Sequence, residues 1–465
     1  MIIKKPRLIN ILGLTSILFF MTTNSYAEDK NKPNVISYDY KTYHLSGSLN
    51  GTPVFNSNSP EVVKTEGILL STFSPEGKTN KEAHLDRVLL GEFDIFTHHI
   101  AVEREKGDLS TLHQGILIKN ISDKIINIKI KSSSTYNSQP NSPFKPLPDK
   151  IINDNALTYS GPGDRVSQDI LRNKSYIKDR SIQIKANSYY LLMDEEIKIE
   201  DLTPPVNGRT SLFKLETDGP VYVADLALYE KGFWFFKSKP KLQDWINILN
   251  TGKLSEKRDK VPSPLNTVLP KGTPFIYGRV AGIATGNTWF SRIAKKENDL
   301  LEIPDSNKGY SFVLNTLYNN TLGTKQNQSA SMEKRYDDTA YQAHSNYGIT
   351  YDIDIPLYNN TENEKTVELS FDSPIRIVEN KEQKDLSFYE KAPEKINFRG
   401  EFKLKYKDDS GQEIEQFIHI VQRFGQKGES LLSLNLKAGE IRKINISYIY
   451  PADATPPHVL TISTK

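Results

Sequence analysis

Apolar and polar residues alternate with a period of two along most of this chain. This commits it to β structure, because a half-buried strand turns every second side chain inward. Ile116-Leu117-Ile118 leads into Asn120-Ile121-Ser122-Asp123 and out through Ile126-Asn127-Ile128-Lys129-Ile130, which reads as a hairpin. Ile353 to Tyr358, then Asn359-Asn360-Thr361-Glu362-Asn363, then Val367 to Phe371 reads as the same device again. A second correspondence joins Ile182 to Asn187 and Tyr189 to Met193 with Leu434 to Gly439 and Ile441 to Ile446. The order and spacing of the paired features predict two related Ig-like antiparallel β-sandwich units, 106–230 and 346–465.

Around these units, residues 28–105 read as N-terminal strands packing on the first sandwich, notably Gly67 to Phe73 and Phe93 to Phe96. Residues 231–345, rich in Pro, Gly and Asn, read as a loop-rich bridge. One short helix is predicted in that bridge, near 240–251. Ser238 is its cap, Pro240 lies just inside, Leu242, Trp245, Ile246 and Leu249 form an apolar stripe, and Gly252 ends it. The fold class is therefore mainly β.

At the N-terminus, Lys4, Lys5 and Arg7 precede an apolar run from Leu8 to Met21 and the small-residue pattern Ser25-Tyr26-Ala27. That order predicts a signal peptide over 1–27, and the run is too short and interrupted for a membrane-spanning helix. With no Cys beside the cleavage point, a lipid anchor is excluded, and no later stretch reaches spanning length. The expected location is the periplasm, or the cell envelope and medium outside it. The chain carries 60 Lys and Arg against 57 Asp and Glu, and removing the three basic residues of the leader leaves the two equal. A neutral chain lacks the basic surface that nucleic acid binding needs. Cysteine is absent altogether, which excludes thiol catalysis and thiolate metal sites.

Several clusters could carry chemistry. The richest is Arg335-Tyr336-Asp337-Asp338-Thr339-Ala340-Tyr341-Gln342-Ala343-His344-Ser345-Asn346. Its paired carboxylates beside Arg335, Tyr341, His344 and Asn346 could hold Ca2+, bind sugar hydroxyls or act as acid and base. A loop tied by its own hydrogen bonds is the stronger reading. Gly161-Pro162-Gly163-Asp164-Arg165 reads as a tight turn presenting Asp164 and Arg165, without the sequence context of a phosphate-binding loop. Asn207-Gly208-Arg209 and Tyr277-Gly278-Arg279 read as similar turns, so Arg165, Arg209 and Arg279 could converge on one anionic ligand. The adjacent His98 and His99 should face opposite sides of a strand, which argues against a metal there, and no cofactor is expected. Phe233-Trp234-Phe235-Phe236 reads as a buried strand rather than a sugar platform. No serine-nucleophile elbow is present.

Gly161 to Arg165, Asn207 to Arg209, Tyr277 to Gly282, Arg335 to Gly348, Phe398-Arg399-Gly400 and Pro451-Ala452-Asp453-Ala454-Thr455-Pro456-Pro457 together resemble exported cyanobacterial proteins sharing a domain of unknown function. The resemblance implies a cell-envelope setting and no particular activity. Two functions follow as expectations. One is a non-enzymatic binding or structural protein recognising polysaccharide, peptidoglycan or a protein partner. The other is a carbohydrate-active hydrolase using Asp337 or Asp338 in a carboxylate pair.

Overall fold

A computed structural model describes residues 33–231, 238–375 and 386–465. The signal-peptide assignment and the Phe233 to Phe236 run lie outside the described residues. The fold is mainly β, with two α-helices among the described residues, Pro162–Leu171 (α1) and Leu242–Thr251 (α2). Helix α2 is the expected one. It is capped at Lys241, whose N–H donates to Asp244 2.8 Å away, and it ends at Gly252. Its stripe buries Trp245 and Leu249 fully, worth roughly 2–3 kcal/mol each. Helix α1 corrects the expectation of a single helix. No described helix is long and apolar enough to cross a membrane.

The alternating pairs are strands, but they are not hairpins. Leu112–Asn120 pairs with Tyr189–Ile197, while Ile126–Asn137 pairs with Ser181–Ile184. In the second half, Thr350–Tyr358 pairs with Ile441–Ile449, and Lys365–Asp372 pairs with Ser430–Leu436. Each connection read as a hairpin turn is instead a corner that sends the chain to different partners, and the correspondence between halves survives in this altered form.

A buried asparagine makes each corner. Asn120 donates to the carbonyls of Lys124 (2.6 Å), Ile184 and Lys185 (both 3.0 Å) and accepts from the Ser122 N–H and hydroxyl (2.9 and 2.8 Å). Asn359 donates to Asn363 (2.8 Å) and Leu436 (2.9 Å) and accepts from the Thr361 N–H and hydroxyl (3.0 and 2.7 Å). One amide thus satisfies backbone groups from two connections at once, which a hairpin turn would have bonded across its own ladder.

In the first half a 24-residue strand, Val206–Tyr229, is shared. Its beginning pairs with Leu89–Val102 and Ile126–Asn137, and its end with Gly67–Ser71 and Leu112–Asn120. Phe93, Ile95, Ile116, Ile128, Phe213 and Val223 bury together between these strands. In the second half an eight-stranded and a five-stranded sheet enclose Ile353, Val367, Phe402, Leu434, Ile446 and Leu460. The five-stranded sheet places His458–Thr464 between Gly309–Leu314 and Lys365–Asp372.

The halves exchange strands. Pro53–Ser57 joins the first half, but Tyr40–Tyr43 pairs with Gly309–Leu314, and Ser48–Leu49 with Thr288–Arg292, in sheets of the second. The N-terminal strands are therefore divided between both halves instead of packing on the first alone. The segment expected as a loop-rich bridge likewise supplies strands to both, Ala281–Thr285 and Ala330–Arg335 to the first and Thr288–Arg292 and Gly309–Leu314 to the second. Lys150–Ile152, from within the first half, pairs with Glu413–Arg423 of the second.

Candidate functional site

The segment from Gly161 to Arg165 is the start of a ten-residue helix, a correction to the tight-turn reading. Pro162 suits the first helical position, whose N–H would be unbonded anyway, and Asp164 favours the positive end of the helix. Its Oδ2 accepts the N–H of Ser160 at 2.7 Å. Val166 and Ile170, four apart, bury on one side. The helix lies in the seam between the halves. Toward the first, Asp169 accepts the hydroxyl of Tyr136 at 2.7 Å. Toward the second, Arg172 holds Glu401 through two bonds of 2.7 and 2.8 Å, and Asp164 meets His419 Nε2 at 2.8 Å with both side chains fully buried.

The Pro451-Ala452-Asp453 turn closes onto the start of this helix. A Cβ at Gly161, whose φ is +97°, would run into the Phe144 ring and stand 2.7 Å from Asp453 Oδ2, and one at Gly163 would stand 2.7 Å from Asp453 Oδ1 and 2.9 Å from the Ala452 nitrogen, so glycine at both positions admits the turn and its carboxyl. The Asp453 side chain is half-buried with its Oδ2 shielded from solvent, and desolvation pushes the carboxyl up to about 7 against the pull of the Arg399 guanidinium. Burial pulls His419 down, but the Asp164 carboxylate outweighs it and the net shift is upward. Burial also raises Glu401, opposed by Arg172. Asp164 Oδ1, His419 Nδ1, Arg399 Nε and Asp453 Oδ2 have no hydrogen-bond partner within the protein. Of these, the Asp453 carboxyl can exchange a proton near neutral pH.

The remaining predicted residues are engaged elsewhere. Arg165 donates to the Asn141 carbonyl and lies over the rings of Tyr136 (3.9 Å) and Tyr159 (4.3 Å). Asn207-Gly208-Arg209 is strand and not turn. Arg209 is buried against Thr135, the Glu196 carbonyl and Glu195, and burial lowers its pKa. Arg279 pairs with Glu61 at 2.5 Å. These three arginines serve three separate sets of partners. Arg335 donates to the carbonyls of Tyr336, Asp337 and Thr339 at 2.7–3.0 Å and lies 4.0 Å over the Tyr341 ring. Asp338 gives both oxygens to Arg258 at 2.7 and 3.1 Å, while Asp337 is exposed. His344 meets the Gly278 carbonyl at 2.6 Å, and Asn346 binds the Ala330 N–H, the Gln328 carbonyl and the Tyr351 hydroxyl. His98 meets Thr210 while His99 meets Asp225 and Ser57.

Sequence reasoning did not single out His419, Glu401 or Arg172. Arg399 and Asp453 stood in noticed motifs without a role, and the signal that could have found Asp453 is its pairing with two closely spaced glycines.

Two open depressions mark the surface. One, of about 500 Å3, lies at the end of α1 and is lined by Asp154, Arg172, Lys174, Lys403, Glu415 and Phe417. Arg172 already covers the Phe417 ring at 3.8 Å. The other, of about 440 Å3, is lined by Ile36, Tyr38, Tyr389, Asp149, Arg423 and Gln426, among others. Along it, Asp149 accepts from Arg423 at 2.5 Å and from Gln426 at 2.6 Å.

The family model described as "Protein of unknown function (DUF3370)" matches residues 41–464. No curated protein matches the chain. Among solved structures, procruciferin, an 11S globulin from Brassica napus, aligns over 91% of this chain and 86% of its own at 8% identity. Its TM-score of 0.08 is too low to argue a shared fold.

Proposed function

The chain belongs to the DUF3370 family of proteins of unknown function, and from that premise we propose that it is an exported cell-envelope protein that binds polysaccharide without cleaving it. Its two halves are Ig-like sandwich units centred on 106–230 and 346–465 and completed by strands from elsewhere in the chain, and it works in the periplasm or outside the cell after its leader is removed. The observation that carries this reading is the groove of about 440 Å3 walled by Tyr38 and Tyr389 with the Asp149, Arg423 and Gln426 network along it. Aromatic faces suit the apolar side of a sugar ring, and fixed planar amide and ionic groups suit its hydroxyls. The hydrolase alternative has less support, because Asp338 is held through both oxygens by Arg258.

Residues 28–465 should be retained on envelope polysaccharide or peptidoglycan columns, and Tyr389→Ala and Arg423→Ala should each weaken retention about tenfold, the scale of one lost anchor contact. Absence of retention on all such matrices, or retention indifferent to both changes, overturns the reading.

A further inference from the structure

We infer that the Pro451-Ala452-Asp453 turn is a proton-controlled latch that holds the two halves of the molecule together across helix α1. The turn belongs to the second half and is seated on the first turn of α1, which reaches the first half through Asp169 and Tyr136 and the second through Asp164–His419 and Arg172–Glu401. Its far side is fastened by the Tyr347 hydroxyl, which donates to the Ala454 carbonyl at 2.9 Å, and by the Thr455 N–H, which donates to the Asn397 carbonyl at 2.6 Å. Seating depends on Gly161 and Gly163, since a side chain at either would collide with the carboxyl.

The charged groups facing Asp453 do not balance. Arg399 favours the carboxylate, whereas Asp164 from α1 and Glu61, just before Val62–Val63, oppose it. Tyr347, bonded to the Ala454 carbonyl, is a neutral phenol whose pKa burial raises. Behind Asp164 stand His419 and, next along, Glu401 with Arg172. The seated carboxyl thus prefers to carry a proton, and a turn that swings out into water returns it to an ordinary acid. Protonation therefore favours the closed latch. Raising the pH through neutrality charges Asp453 against the fields of Asp164 and Glu61 and favours opening. His419 acts in the same sense, because its raised pKa makes the closed seam bind a proton that an open one releases.

The test is hydrogen exchange of the full chain at pH 6.0 and 8.5, corrected for intrinsic rates and read at residues 161–171 and 451–457. With the carboxyl near 7 when seated and near 3.8 when free, opening should increase about tenfold between these pH values. Asp453→Asn should reduce that difference to the part carried by His419, and Arg399→Gln should move it to higher pH because the opposing cation is gone. Equal protection at both pH values in the natural chain, or an undiminished difference in Asp453→Asn, overturns the latch. If Asp453→Asn does not fold, a pH midpoint unmoved by Arg399→Gln overturns it as well.

Discussion

Removing the amide from a corner should reveal how much each asparagine contributes. In Asn120→Ala the carbonyls of Ile184 and Lys185 lose their side-chain donor, and the Ser122 N–H and hydroxyl lose their acceptor, all at a residue with no solvent exposure. At about 1 kcal/mol for each hydrogen bond, with more for any group left buried and unpaired, the cost should be about 3–4 kcal/mol. Asn359→Ala, with two donated and two accepted bonds, should cost about 3 kcal/mol on the same reasoning. Asp at either position keeps the accepting oxygen but turns a second acceptor toward carbonyls, so it should not rescue. Urea unfolding followed by tryptophan emission and far-ultraviolet circular dichroism measures this. Trp245 packs in the first half and Trp289 in the second, so a molecule unfolding in two steps should show each variant shifting its own step. A loss below 1 kcal/mol in both variants would refute the claim that these amides hold the corners.

Stability should peak near pH 6.5. Burial holds His98 and His458 at about 3 and His344 at about 4, so each contributes stability that is complete above the unfolded value near 6.5 and is lost as the pH falls. Asp453, raised to about 7, contributes in the opposite sense, with stability present at low pH and lost as the pH rises through 7. Melting temperatures from pH 4.5 to 8.5 check both limbs, and a curve still rising above pH 7.5 would contradict the second. Gly163→Ala places a methyl 2.7 Å from Asp453 Oδ1 and 2.9 Å from the Ala452 nitrogen. It should destabilise by about 1–3 kcal/mol, and an unchanged melting temperature would show that the turn does not need that close approach.

The period-two alternation made the β class legible because the pattern is local. Even the internal correspondence was visible, since Asn120 to Lys124 and Asn359 to Asn363 keep the same polar spacing. The pairing was not legible. Whether a polar break between two strands is a hairpin or a corner depends on partners such as Ile184 and Leu436, which lie more than sixty residues away. Helix α1 was missed because Gly161 and Gly163 together look like a turn, and what requires them lies far away in sequence or in the backbone: the Phe144 ring, the Asp453 carboxyl, the Ala452 backbone and the left-handed φ of Gly161. For the same reason the candidate residues were drawn to the conspicuous Arg335 to Asn346 stretch, whose polar groups mostly bind one another and the backbone, while His419 and Glu401 sat unnoticed in alternating strands.

The place of His458–Thr464 in its sheet sets an order of assembly. Tyr40–Tyr43 and Gly309–Leu314 lie on one side of it, Lys365–Asp372 and Ser430–Leu436 on the other, and no strand pairing in that sheet joins the two sides except through it. During synthesis the strands that precede it in the chain must therefore wait, with open edges, until His458–Thr464 has left the ribosome. Deleting seven residues would cut a five-stranded sheet into two ribbons, each with a bare edge of the kind that recruits other chains. The segment acts as the closing member of the second half, and aggregation, more than loss of any local contact, is the failure its removal should produce.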